Sequence, residues 1–531
     1  MGDKKKKAVL GIDNGTQGLT ALLVDIDDPT LPVIATGEGS YGFVPNLASG
    51  SYEQQASDWD VALKTAIQHV MAHPAFVNYQ IVAVGVAGQM HGHVLVDASG
   101  EAIGTVRLWC DARNQAEAEE LSQLFYGRPD NVPKRVTAAR WLWTMRNQPE
   151  LAESVDFLTT PAGWLSFRLT NSKRLGIGDS SGMFPMGTKN YRQDLLQKFQ
   201  ERYGSEKVRP LSELLPEVVL CGDDAGNLTA EAVSWLGLPK ETIGIPVAAA
   251  EGDQPATLVG SLIGHAGMAS LSFGTSVCAN LVGGSSEDPA KIMSPGVNHF
   301  SAVNGQPIYM VWLRNGTTYF NTIVKSYGSA SVAMDNEGRD VFDSLMPQIV
   351  DAPADCGGLL AMPFMDDEPG LGVTSGGTAT LIGWNPNNAI PGNVCKAALL
   401  STMFNLKKGV DYLKQNRVNV SEIFFSGGLT KTPEMGQVVA DVFELPVHLL
   451  PGSEEGCSWG AAVLAKYRWQ KKSNPADQQD WPDFLKSIAT KQMQSFCPNP
   501  PDSAIYQTSY RKYDQLLKLQ PELQQLMNSS C

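Results

Sequence analysis

The stretch Ala8-Val9-Leu10-Gly11-Ile12-Asp13-Asn14-Gly15-Thr16-Gln17-Gly18-Leu19-Thr20-Ala21-Leu22-Leu23-Val24-Asp25-Ile26 carries two apolar runs. Between them stands a polar, glycine-containing turn. Runs of this length around such a turn predict a β-hairpin. Further on, Asp58 to Met71 has helical spacing, with Trp59, Leu63, Ile67 and Val70 on one side. Ile81 to Val86 then reads as a buried strand ending at Ala87-Gly88-Gln89-Met90-His91-Gly92. The same order returns about 260 residues later. Ala269 to Phe273 and Val277 to Val282 flank Gly274-Thr275-Ser276. A helix from about Asn393 to Gln415 leads into the strand Glu422 to Phe425, which ends at Ser426-Gly427-Gly428. Repetition of strand, Gly-Thr turn, strand, helix, strand and Gly turn predicts two α/β domains facing each other across a cleft, with a join near Asp253 to Gly267. Trp469 to Asp483 is polar and reads as a surface excursion. Tyr510 to Met527 reads as a surface helix interrupted at Pro521.

Composition narrows the classes. A chain of 531 residues with 43% hydrophobic and 18% charged residues has material for large buried cores. Its net charge of −14 argues against a nucleic-acid partner, which would need a basic stripe. Lys4 to Lys7 reads as a solvated N-terminal tail. No apolar run reaches transmembrane length, and no apolar segment of signal-peptide type follows the basic start. Eight cysteines without any Cys-x-x-Cys pair do not form a disulfide framework. The expectation is a cytoplasmic protein with no membrane partner. The pairs His69/His73 and His91/His93 lack a third ligand nearby in sequence, so no zinc site is expected.

No P-loop and no Gly-x-Gly-x-x-Gly follows a strand, so a phosphate site must be built otherwise. The Asp13-x-Gly15-Thr16-Gln17 turn offers backbone N–H groups and a hydroxyl to phosphate oxygens. Asp13 at the strand end can hold Mg²⁺, which binds one or two carboxylates plus phosphates. Gly274-Thr275 offers the same donors from the second half. Gly427-Gly428 leaves room for a base or ribose against the backbone. Glu251-Gly252-Asp253-Gln254 lies between apolar runs, where burial raises a carboxylate toward use as a base; an Asp there can equally cap the following helix. Gln89, Met90 and His91 suit a sugar, although a lone histidine is more often structural. Trp109, Asp111 and Arg113 add a stacking face, a carboxylate and a guanidinium; the alternative for the last two is a local ion pair.

Together these segments resemble the FGGY family of carbohydrate kinases, and within it the xylulokinase branch, over nearly the whole chain. Gly11 to Thr16 looks like the first phosphate motif, with Asn14 where a Leu is commoner, and Glu53-Gln54 followed by Trp59 resembles the early Glu-Gln…Trp element. Ala87 to Gly92 is similar to the sugar-contacting segment, Trp109-Cys110-Asp111-Ala112-Arg113 to Trp-x-Asp-x-Arg, and Gly252-Asp253-Gln254 to the catalytic Gly-Asp-Asn/Gln. Ser272 to Ser276 and Ser426-Gly427-Gly428 look like the second phosphate and adenosine motifs. The sequence departs from the family at Met362 to Pro369, which lacks the Arg of Gly-Glu-Arg-x-Pro, and at Ser426, where a third Gly is common. The resemblance implies an α/β, two-domain actin-like ATPase (ribonuclease H-like) fold with an interdomain cleft, divided as 1–258 and 259–531. It implies ATP and Mg²⁺, a homodimer, and transfer of phosphate to a ketose, foremost D-xylulose, with ribulose, L-xylulose, sedoheptulose or a polyol as alternatives. Asp253 would be the base. Gln89, Met90, His91, Trp109, Asp111, Arg113 and Gln254 would contact the sugar, Gly15, Thr16, Gln17, Gly274, Thr275, Gly427 and Gly428 the nucleotide, and Asp13 the metal. A weakly active sugar-binding regulator on the same fold is the competing class.

Overall fold

The computed structural model describes residues 5–128, 131–274, 277–284, 292, 294, 296–332, 340–449, 456–476, 479–488 and 493–528. Two compact units emerge. Unit 1 comprises residues 1–264, 300–307 and 452–491, and unit 2 comprises 265–299, 308–451 and 492–531.

Unit 1 is built on the predicted hairpin. β1 (Lys6–Asn14) and β2 (Gly18–Asp25) pair antiparallel, because the Gly15 N–H closes the turn on the Gly18 carbonyl at 3.0 Å. β3 (Val33–Ser40) extends the sheet beyond β2. The helix Ala56–Ala72 buries Trp59, Leu63, Ile67 and Val70, the stripe its spacing predicts, and returns the chain to β4 (Tyr79–Gly88), parallel to β1. β5 (Glu251–Gly252) pairs parallel with the end of β4, which completes the order β5-β4-β1-β2-β3. The three parallel strands end together: Asn14 faces Gly88, and Gly88 faces Gly252.

Unit 2 repeats the plan. β6 (Gly267–Phe273) and β7 (Val277–Val282) are antiparallel neighbours, and the helix Pro391–Gln415 leads into β10 (Val420–Gly427), parallel to β6. With β8 (Val297–Ser301), β9 (Pro307–Leu313), β11 (Val447–Leu449) and β12 (Gln494–Phe496) the sheet has seven strands, ordered β8-β9-β7-β6-β10-β11-β12. The second Gly-Thr turn falls partly outside the described residues: Gly274 is described, Thr275 is not.

Three expectations need amendment. A single cut near 258 misses the helix Gly456–Ser473, which packs in unit 1 against β1 and β4. Its Ser458, Ala461 and Ala462 lie where side chains at Gly11 and Gly85 would stand. Trp469 to Asp483 is not simply a surface excursion. Trp481 is buried, with its ring 5.1 Å from Tyr467 and 5.7 Å from Phe484. At the C-terminus a helix already runs over Pro500–Leu517, with Tyr513 buried in the core of unit 2. Pro521 lies in the first turn of a second helix, Gln520–Asn528, where its missing N–H costs nothing.

Candidate active site

In unit 1 the ends of the three parallel strands bring Asp13, the Gln89-Met90-His91 segment and Asp253 to one edge of the sheet. Asp253 is the first residue of the helix Asp253–Gly260, after the N-cap Gly252, so it is not itself the cap. Its Oδ1 accepts from the Gln254 N–H at 2.7 Å. Burial first, then the neighbouring Asp13 charge, push its carboxyl up to about 7, against the N–H groups of Gln254 and Met90. No cationic side chain is ion-paired with it among the described residues. A carboxylate in this state suits general-base work near neutral pH.

Burial also raises Asp13, and the Cys457 thiol, hydrogen-bonded to it, opposes the rise. Asp13 Oδ1 is buried without a hydrogen-bond partner among the described residues, a free acceptor that fits a cation. No group of three or more His, Cys, Asp or Glu side chains that could hold a metal occurs among the described residues. Any Mg²⁺ here would take Asp13 and complete its shell with phosphate and water oxygens.

His91 has φ +68° and is partly buried. Its backbone carbonyl accepts from Thr137 Oγ1 at 3.2 Å and Arg140 Nη1 at 3.1 Å. Burial, then the charge of Arg135, hold the imidazole down at about 3, so it is neutral. Nδ1 lies 3.0 Å from the Gly182 carbonyl, which can only accept, so Nδ1 carries the proton and Nε2 is an acceptor. Met90 is buried against Gly252. Trp109 is 45% exposed, and its indole N–H donates to Thr16 Oγ1 at 3.2 Å. Gln17 is exposed at the tip of the turn.

Two sugar contacts expected from sequence are instead committed within the protein. Gln89 is buried; its Nε2 donates to Gln54 Oε1 at 2.9 Å and its Oε1 accepts from Thr16 Oγ1 at 3.4 Å, tying the hairpin turn to the end of β4. Asp111 is fully buried and accepts from the Tyr52 N–H at 3.0 Å and from Arg113 Nε and Nη2 at 3.0 and 2.6 Å. Arg113 also reaches Glu53 at 2.5 Å. The local ion pair is therefore what the structure contains. Burial opposes the Asp111 charge, and the Arg113 and Tyr52 hydrogen bonds outweigh it and hold its carboxyl below the usual range.

Sequence reasoning missed two further acids. Glu251, one residue before the N-cap, and Asp179 are both fully buried. Burial pushes Asp179 up to about 8 and Glu251 well up, and each feels neighbouring carboxylates. The apolar context that singled out Asp253 applies equally to Glu251. Asp179 and Cys457 come from distant segments and left no local signal.

Unit 2 holds a cleft of about 650 Å³, in the range of small-ligand sites, lined among others by Phe273, Gly274, Gly428, Phe320, Phe342 and Met346. Thr317 Oγ1 donates to the Gly274 carbonyl at 2.6 Å and fixes that turn. Gly427 has φ +94°, ψ −174°, a conformation open essentially to glycine alone, and it turns the chain from β10 into the cleft wall. Ser426 does not enter the cleft; its hydroxyl donates back to the Leu271 carbonyl at 3.3 Å.

Residues 8–260 match the N-terminal domain of the FGGY family of carbohydrate kinases, and residues 269–469 match its C-terminal domain. The chain belongs to the FGGY family. It is an ATP-dependent carbohydrate kinase with the two-domain actin-like fold of that family. A xylulose kinase of Haemophilus influenzae is 24% identical over 95% of this chain and 98% of its own length. A ribulokinase of Geobacillus thermodenitrificans is 25% identical over 96% and 94%. A crystal structure described as a xyloylose kinase from Brucella ovis superposes with a TM-score of 0.77 at 21% identity, covering 98% of this chain and all of that one. No helix among the described residues is long and apolar enough to cross a membrane.

Proposed function

We propose that the FGGY kinase described here phosphorylates a ketose, foremost D-xylulose at its terminal hydroxyl O5, by direct transfer from ATP. The observation that carries this reading is Asp253: a half-buried carboxyl raised to about 7 beside Asp13, at the head of a helix and next to the Met90-His91 segment. As the hydroxyl oxygen bonds to the γ-phosphorus, its proton passes to Asp253. The bond from the γ-phosphorus to the β–γ bridging oxygen breaks, leaving ADP. Such transfer is catalysed chiefly by positioning and charge stabilisation. Neutral His91 accepts a sugar hydroxyl at Nε2, Trp109 offers its exposed ring to the sugar's apolar face, and Met90 and Gln254 line the site. In unit 1, Thr16 and Gln17, in the turn that the Gly15 N–H closes, offer donors to phosphate oxygens. In unit 2, Gly274, Gly427 and Gly428 shape the nucleotide cleft. Asp13 would hold Mg²⁺, which neutralises phosphate charge when bound.

The xylulose kinase relatives favour D-xylulose, whereas the ribulokinase relative keeps a second ketose in view. The deciding assay couples ADP release to a panel of D-xylulose, L-xylulose, D- and L-ribulose, sedoheptulose and glycerol, read as kcat/KM. D-xylulose should lead. Another sugar ahead by more than about tenfold, some 1.4 kcal/mol of transition-state discrimination, overturns the substrate assignment. A cytoplasmic homodimer completes the proposal, and light scattering of the purified protein tests the dimer.

A further inference from the structure

Glu251 sits on β5 two residues before Asp253, and its carboxyl is fully buried. Oε2 accepts the Asp179 N–H at 2.9 Å, and the Gly178 N–H bonds the same carboxyl. The Gly176 N–H donates to the Ala250 carbonyl at 2.9 Å. Residues 176 to 179 are thereby fastened to the strand that delivers Asp253.

The space for this carboxyl is made by two glycines. A Cβ at Gly176 would collide with Glu251 Oε1, and one at Gly178 with Oε2. Gly176 has φ −62°, a value any residue adopts, so its missing side chain serves the close approach of Glu251 and of the Ala250 carbonyl rather than backbone freedom. On the far side, Asp179 Oδ2 accepts from Thr160 Oγ1 at 2.5 Å, and Thr160 Oγ1 accepts the Gly163 N–H at 3.1 Å. The chain of contacts runs from the helix Pro161–Thr170 through Thr160, Asp179 and Glu251 to the segment bearing the base.

We propose that Glu251 is a positioning residue for phosphoryl transfer, clamping residues 176–179 to β5 so that Asp253 is held in one place relative to the sugar hydroxyl. The proposal rests on the reading of Asp253 as the base. Glu251 touches neither substrate, so its removal acts on kcat and leaves binding intact. A shift of the base by about 1 Å costs about 10²-fold in rate.

The test measures kcat and both KM values for Glu251→Ala, Glu251→Gln, Glu251→Asp and Asp253→Ala. Glu251→Asp keeps the carboxyl and withdraws it by one methylene from the Asp179 and Gly178 N–H groups. Glu251→Ala should lose about 10²-fold in kcat with KM for ketose and ATP within about twofold. Glu251→Gln, which keeps an acceptor for the two N–H groups, should stay within about tenfold of wild type. Glu251→Ala with kcat within about threefold of wild type overturns the clamp, and so does a parallel rise in both KM values. If Glu251→Ala does not fold, Glu251→Asp decides: a kcat loss of more than about tenfold with both KM values held supports the clamp, and a folded Glu251→Asp with a smaller loss overturns it. Near-normal turnover by Asp253→Ala refutes the base itself and is read separately from any Glu251 result.

Discussion

Gly427→Ala tests the nucleotide motif of unit 2 with a magnitude that follows from geometry. Gly427 lies at φ +94°, ψ −174°, and forcing a side chain into that region costs about 1–3 kcal/mol. Gly427 pairs with Phe273 across β10 and β6, and an added Cβ would lie 2.8 Å from the Phe273 carbonyl carbon and nearer still to its oxygen. Comfortable carbon–carbon contact needs about 3.5 Å or more, so the two strand ends must part by about 0.7 Å. Strain and repacking together come to about 3 kcal/mol. For a domain of about 150–250 residues that lowers Tm by about 6–12 °C. Gly428→Ala is the control, because its Cβ would meet nothing nearer than 3.9 Å and its φ is not positive. It should shift Tm by less than about 2 °C. Differential scanning calorimetry reads both variants, and the ATP KM should rise for Gly427→Ala while the sugar KM holds. Equal Tm values for the two variants would refute the claim that the Gly427 conformation is required.

The Asp253 carboxyl, raised from 3.8 to about 7, is protonated on the acid side, so kcat/KM for the sugar should fall about tenfold per pH unit below about 7. The folded state holds a proton that the unfolded chain releases between those values, so the same shift lowers stability as pH rises through that window; a profile flat down to about pH 5.5 counts against the base. Asp111→Asn should cost about 2 kcal/mol, read as a lower Tm, with the sugar KM within about twofold, because it breaks the Arg113 pair rather than a sugar contact. The depressed Asp111 carboxyl contributes stability above the unfolded value of 3.8 that is lost as pH falls through its folded value; an unchanged Tm with a tenfold higher sugar KM would return Asp111 to the sugar. His91→Asn, chosen because Asn tolerates φ +68°, should raise the sugar KM about tenfold and leave the ATP KM unchanged; equal rises in both indicate a folding defect.

Local physics explains what was legible in sequence. The hairpins at Asp13 and Gly274 were visible because apolar runs and turn residues are neighbours in the chain, and the helix Ala56–Ala72 because its buried side is written in its spacing. Gln89 is tied to Gln54 and Thr16, partners far off in the chain that its own segment does not announce, whereas Asp111 holds Arg113 two residues on, the local ion pair that the sequence already offered as the alternative. A polar side chain at a strand end looks the same in sequence whether it faces a ligand or a buried amide. Trp481 was lost for the converse reason, since its polar surroundings concealed a ring packed against Tyr467 and Phe484.

The parallel arrangement explains why the candidate site is scattered along the chain. Parallel neighbours cannot be joined by a tight turn, so each crossover places the next strand end far away in sequence. Asp13, His91 and Asp253 leave β1, β4 and β5 at the same edge only because the register aligns Asn14 with Gly88 and Gly88 with Gly252. That register includes an irregularity between Ala8 and Val9, near the start of β1. A one-residue slip there would send the Asp13 side chain to the other face of the sheet, since strand side chains alternate. Asp13 and the turn after it would then part from Asp253, and the like charge that helps raise the Asp253 carboxyl toward neutrality would be lost. Control of the Asp253 proton affinity therefore resides partly in the backbone pairing of β1, several residues before Asp13 itself.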